Sequence, residues 1–241
     1  MDARAKTGRV VRPAGAVGRK HPTEMLERLM QAAFDAFAAY GYEGASMREI
    51  ARQAGTTIQR ISYHVSSKEE LWKQVLSRLV DRYELRRQAL IQSLGDAPAA
   101  VKLRHIITDM VEYISEVPGI YHIMTAEAAR TSERLTWLCD TYLIPWVRDT
   151  VALIEQAQRD GAVRRVDPAR LHYAMLAIGS MPFAVAAEFK ATTGYDPFRP
   201  EEIQKTIDFI CELVFVKQPT ARSGPGRLRR KPAAARQRNK R

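Results

Sequence analysis

Thr57, Gln59, Arg60 and Tyr63 fall within seven residues of one another at spacings that a short helix turns toward its outer side. Their chemistry is hydrogen bonding to a planar, edge-on target. Arg60 can present two donors to guanine O6 and N7, and the Gln59 carboxamide can pair both ways with adenine, so the set is suited to base edges in a major groove. Other chemistries find less support. The five histidines, at 21, 64, 105, 122 and 172, form no HExxH, and no GxSxG, Walker loop or GxGxxG occurs. His105 and Asp109 lie one helical turn apart and could share a metal, but such a pair alone is ordinarily a surface hydrogen bond. No enzyme, cofactor or metal centre is therefore expected.

The elements that must position those four side chains are legible from period and caps. Leu26, Leu29, Met30, Ala33, Phe37 and Tyr40 recur every three or four residues, which predicts an amphipathic helix stopping near Gly41. Ser46 and Glu49 have the spacing of a capping box for a short helix that turns Ile50 and Ala51 inward and ends at Gly55. A second short helix is predicted from about Thr57 to His64. Ser66 and Ser67, with Glu69 and Glu70 each three residues on, then launch a long helix to about Leu94. Small Ala51 and Ala54 permit a close crossing, and Ile50, Ile61 and Val65 anchor both short helices to the first. Two short helices joined by a tight Ala54-Gly55-Thr56 turn make a helix-turn-helix.

From about Glu24 to Leu71 the chain, with FDAFAAYGYEGASMREIARQAG followed by ISYHVSSKEEL, resembles the TetR family of transcriptional regulators. The resemblance implies that the second short helix enters the major groove, that the C-terminal helices build a homodimer and a ligand pocket, and that an inducer changes the spacing of two reading heads. It also places base reading on Arg48, Gln59, Arg60 and Tyr63, and phosphate contacts on Thr57, His64 and Lys68. The chain departs from the family pattern at Ser62, where Tyr is usual, at Val65, where Phe is usual, and at Ile58, Gln59 and Arg60, which replace smaller residues. Lys68 at a helix start opposes the helix dipole, a conflict that a neighbouring phosphate would resolve.

Beyond Leu71 the pattern stays helical. Helices are predicted from Pro98 to about Ser115, from Pro118 to about Arg130, from Ser132 through Pro145 to Asp160, from Asp167 to Phe189, and from Pro197 or Pro200 to about Val216. The fold class is all-α: a three-helix helix-turn-helix domain at 21–71, then a larger helical ligand-binding and dimerisation domain at 72–216. Apolar stripes on the final two helices, such as Ile203, Ile207, Ile210 and Val214, suit either a domain core or a two-fold bundle. Aromatic residues gather between them. Tyr113, Tyr121, His122, Trp137, Tyr142, Trp146 and Tyr173 are the candidate lining for a ligand that is apolar or aromatic and uncharged or singly charged.

The formal charge of +11 sits at the ends: residues 1–20 carry +5 and residues 217–241 carry +10, which leaves −4 on the body between them. Both ends lack apolar periodicity and are expected to be disordered basic arms, in the first reading simply solvated and in the alternative adding sequence-blind attraction to phosphate. Bulk charge therefore does not itself mark the body as DNA-binding. Two cysteines without a CxxC point to a reducing cytoplasm. The uncharged run from Leu171 to Ala187 is too short for a bilayer and is expected to be a buried helix, so no membrane partner is predicted. These expectations converge on a homodimeric regulator, a repressor of double-stranded DNA released by a small-molecule effector. The alternatives are a DNA-binding protein without a sensor and a helical enzyme or binding module that retains the motif.

Overall fold

Side-chain caps fix the starts of four helices. Thr57 Oγ1 accepts from the Arg60 amide, Ser67 Oγ from Glu70, Ser132 Oγ from Leu135 and Asp167 Oδ1 from Arg170, each satisfying an amide that the first helical turn leaves unpaired. Ser46 differs. It has extended backbone but makes no side-chain cap bond, and the Glu49 carboxylate accepts from Arg52 and Gln53 instead of reaching back to the Ser46 amide. The expected capping box is not formed.

The computed structural model describes residues 22–216; the two basic ends lie outside the described residues. The fold is all-α. The helices are α1 (Pro22–Gly44), α2 (Met47–Gln53), α3 (Ile58–His64), α4 (Lys68–Ser93), α5 (Ala99–Glu116), α6 (Pro118–Ala128), α7 (Glu133–Leu138), α8 (Ile144–Arg159), α9 (Pro168–Ala184), α10 (Ala186–Thr193) and α11 (Pro200–Val214). Helical geometry in α1 breaks at Gly41, where the expected helix ends.

Two predicted helices are divided. The segment expected to run from Ser132 to Asp160 contains a π turn, Cys139–Leu143, between α7 and α8, which leaves Pro145 in the first turn of α8 where its missing N–H is harmless. The segment expected to reach Phe189 breaks at Val185, just after Pro182, and α10 leaves at 79° to α9. Nor is α9 buried as expected: Met175, Gly179, Ser180 and Phe183 are covered, while Tyr173, Ala174, Ala177 and Met181 are exposed. No single helix among the described residues is long and apolar enough to cross a membrane; α9 and α10 reach that length and composition only as a bent pair.

Apolar burial forms two clusters. One joins α1, α2, α3 and the start of α4 to Ile120, Ile123, Leu138 and Tyr142 of the later helices. The other packs α5, α8, α9 and α11 around Leu103, Ile154 and Ile210. Leu71 and Trp72 both lie in the first cluster, so the reading head and α6 share one core. An isolated bridge between Val163 and Phe215 ties the end of α11 to the turn after α8.

Candidate nucleic-acid interface and effector cavity

The turn between α2 and α3 depends on Gly55, whose φ of +65° lies in the left-handed region where a side chain would be strained. The Thr56 amide donates to the Ala51 carbonyl at 2.9 Å and closes the turn. Ala51, Ala54, Ile50, Ile61 and Val65 are all buried, so the small residues admit the crossing and the larger ones hold it. Every polar residue of α3 is thereby turned out. Gln59 and Arg60 are exposed, and Tyr63 is 86% exposed with its ring edge-on to His64 at 5.2 Å. An aromatic side chain held this far out of the core loses apolar burial, which a partner surface would restore.

The other candidate contacts fall into two groups. Arg48 and Arg60 enter no ion pair among the described residues, whereas Arg52 is held by Glu49 at 2.5 Å. The Arg52 and Gln53 bonds hold the Glu49 carboxyl down at about 2, so the one acid in this stretch is occupied locally. Thr57 accepts as the cap of α3 and is exposed. Ser62, in the place of the usual Tyr, donates back to the Ile58 carbonyl at 3.0 Å and offers α3 no outward aromatic. Lys68 is engaged within the protein: it donates to the Glu43 carbonyl at 3.2 Å and lies 4.6 Å from the Tyr42 ring centroid, and burial pushes its ammonium below the usual range. That carbonyl and ring offset the unfavourable helix dipole within the protein.

A cavity of about 350 Å³ opens between α4, α5, α6, α8 and α9, with walls of Ile106, Ile107, Met110, Ile114 and Leu176 among others. Of the seven expected lining residues, Tyr113, Tyr121, Trp146 and Tyr173 are there; His122, Trp137 and Tyr142 are not. His122 Nε2 donates to the Ala184 carbonyl at 2.9 Å. Trp137 and Tyr142 belong to a series of ring contacts. Trp72 meets Trp137 at 5.9 Å, Trp137 meets Tyr142 at 5.7 Å, Tyr142 meets Trp146 at 6.1 Å and Trp146 meets Tyr83 at 5.4 Å. They therefore connect the reading head to the cavity wall instead of forming that wall.

Sequence reasoning missed Tyr83, Arg87, Thr150 and His172, which also line the cavity. Tyr83 and Arg87 stand one helical turn apart inside RYELRR, where charge conceals the inward side; that four-residue spacing was the available signal. His105 and Asp109 do not form a joint site, because the Asp109 carboxylate, largely buried, takes Arg86, which also reaches Glu112 at 2.9 Å and Glu116 at 3.0 Å.

Cavity and head meet through α6. A Cβ at Gly119 would stand 2.6 Å from Phe34 Cζ and 3.1 Å from Ala38 Cβ, so only glycine lets α6 lie this close to α1. Tyr121, Met124 and Thr125 of the same helix line the cavity.

Residues 29–75 match the family described as bacterial regulatory proteins, tetR family, and residues 100–214 match a tetracyclin repressor-like C-terminal domain. The chain is 20% identical over 133 residues to the probable HTH-type transcriptional regulator YttP of Bacillus subtilis (strain 168), covering 55% of this chain and 64% of that protein, just under two thirds of its length. It is 24% identical over 166 residues to the HTH-type transcriptional regulator RutR of Escherichia coli (strain K12), covering 69% of this chain and 77% of RutR. Among solved structures, AibR in complex with isovaleryl coenzyme A and operator DNA shares the fold with a TM-score of 0.61 at 19% identity, over 79% of this chain and 98% of that one.

Proposed function

The chain belongs to the TetR family of bacterial regulatory proteins, and from that premise we propose that it is a ligand-responsive repressor that grips a palindromic operator as a homodimer. Its broader role, a transcriptional regulator with a DNA-binding helix-turn-helix, comes with the family. In the proposed mechanism Arg48, Gln59, Arg60 and Tyr63 read base edges, while Thr57, His64 and one free donor of Lys68 meet phosphate. The head at 21–71 is followed by a sensing and dimerising region at 72–216, and the protein acts in the cytoplasm. A small apolar or aromatic effector enters the cavity. Because α6 both lines that cavity and lies on α1, an effector that prefers one placement of α6 shifts the orientation of the heads by its differential affinity for the two states.

The observation that carries this reading is the outward presentation of Gln59 and Arg60 beyond the Gly55 turn, two side chains that contribute nothing to the core. The solution of AibR with both an acyl-coenzyme A and operator DNA supports coupling of such a cavity to DNA. Dimerisation is supported by the apolar residues exposed on α9 and α11, Tyr173 and Met181 on one and Phe209 and Leu213 on the other.

The test is footprinting of the purified full chain on genomic fragments near its own coding region. Two inverted half-sites about one turn of DNA apart, or a multiple of that, are expected. Protection without two-fold symmetry would remove the homodimer, and a failure to retain any fragment would remove the repressor. Retention indifferent to every small molecule that enters the cavity would leave a constitutive DNA-binding protein.

A further inference from the structure

Polar side chains of two helices face each other across the cavity. Tyr83 and Arg87 stand one turn apart on α4, Trp146 and Thr150 one turn apart on α8, and all four line the space. Arg87 holds the one permanent charge among these lining residues, and that charge is already answered. Its Nε and Nη2 donate to Glu84 at 3.0 and 3.2 Å, and Nη2 also reaches Asp149 at 3.4 Å. Two carboxylates therefore surround one guanidinium. Burial alone would raise the Glu84 carboxyl, but bonds from Arg87, Gln88 and the Trp146 indole hold it below the usual carboxylate range, so it stays ionised.

Two tyrosines and a histidine of the wall are held neutral by burial. Burial pushes the Tyr83 hydroxyl upward and the Tyr113 hydroxyl up to about 12, and Tyr113 is spent on the Leu79 carbonyl at 2.7 Å. Burial lowers the His172 imidazole, which keeps it uncharged at neutral pH. Arg87 Nη1 and Thr150 Oγ1 have no partner among the described residues and are not fully enclosed, and the hydroxyls of Tyr83, Tyr121 and Tyr173 on the same walls are likewise unpaired.

Each class of effector meets these side chains differently. An anion would give up its water to enter apolar walls whose one lining guanidinium is already answered by Glu84 and by Asp149, which Arg148 shares at 3.4 Å, so little is left to compensate its desolvation. A cation would find Glu84 already saturated by four donors from three side chains. A neutral oxygen acceptor brings no charge to desolvate and completes the bonding of Nη1 and Oγ1. Building on the cavity's role as a sensor, we propose that its effector is an uncharged, mainly apolar molecule bearing one carbonyl-type oxygen, received by Arg87 Nη1 and Thr150 Oγ1.

The test titrates the full chain by calorimetry with methyl ketones from hexyl to dodecyl chain length, and with the carboxylates and primary ammonium ions of the same lengths. The ketone is expected to bind about tenfold more tightly than either ion at the best length, the equivalent of one decade in Kd. Asp149→Asn removes one of the two carboxylates at a half-exposed position and should narrow the gap between ketone and carboxylate several-fold. Thr150→Val should weaken the ketone and leave the ratio of the two ions unchanged. A carboxylate that binds the unmodified protein as well as the ketone would overturn the inference while leaving the sensor intact. An unchanged gap in Asp149→Asn would overturn it too, and so would a failure of every member of the series to bind, which leaves the sensor itself to be judged by the footprinting.

Discussion

The guanidinium of Arg134 lies 3.6 Å from the ring centroid of Tyr42, and so joins the helix after the cavity wall to the corner between α1 and α2. Arg134 is in α7 and is held at 3.1 Å by the carboxylate of Glu127, a buried residue of α6 that Ser132 also contacts. Lys68 sits over the same Tyr42 ring. Arg134 thus bridges α6 to Tyr42, and the bridge is buried enough for its loss to be measured. Two energies compete on its removal. A partly desolvated cation over a ring is worth about 1–2 kcal/mol, whereas a buried carboxylate stripped of its partner costs about 3–5 kcal/mol. Arg134→Met should therefore destabilise the protein by about 3–5 kcal/mol in urea unfolding, and Arg134→Met with Glu127→Gln should recover at least half of that. If the double variant recovers nothing, the ring contact dominates.

Arg60 can be tested for reading as distinct from mere attraction. Exposed on α3 and free of any ion pair among the described residues, it supports no other part of the fold. Arg60→Ala should leave the melting temperature unchanged, weaken binding to the preferred site by about 1–3 kcal/mol and relax the choice of base at one position. Measured by competition between operator variants, an equal loss on all sequences would assign Arg60 to phosphate.

Phe209 and Leu213 stand one turn apart on α11 and are 53% and 43% exposed. Carboxylates at both positions should cost the folded subunit little, because neither side chain fills the core, yet they would bury two charges in any interface formed there. Phe209→Glu with Leu213→Glu should give a monomer by light scattering. Its operator affinity should fall by roughly 100-fold or more, since the second head no longer binds at high effective concentration. A dimer of unchanged affinity would place the interface elsewhere.

The head was legible because its determinants are local. Gly55, the paired alanines and the Thr57 and Ser67 caps act within a few residues, so they fix which face of α3 is outward wherever the head sits. Cavity residues depend on the phase between distant helices. Trp137 and Tyr142 are five residues apart, a spacing that an uninterrupted α-helix would splay, but the intervening π turn aligns positions i and i+5 and faces both into the ring series. Aromatic type alone announces burial, not which side of the wall is occupied. Arg87 shows the converse, a charged residue whose inward course is decided by Glu84 and Asp149 on two different helices.

His172 links the cavity to pH. It lines the space, its ring meets Tyr173 at 5.3 Å, and burial holds its imidazole below the ordinary value. The folded protein then resists a proton that the unfolded chain accepts. Stability is complete above the ordinary histidine pKa of about 6.5 and falls as pH drops through that value toward the depressed folded one, because there the unfolded state binds more protons. Asp109, whose carboxyl burial raises, acts in the opposite sense at lower pH: its folded form gains a proton first. The difference between variants isolates the histidine. Urea unfolding between about pH 7 and pH 5 should show a loss of stability that His172→Gln largely removes. An identical slope in His172→Gln would mean that the ring is protonated in the folded state as readily as in the open chain, and that this side of the cavity is wet.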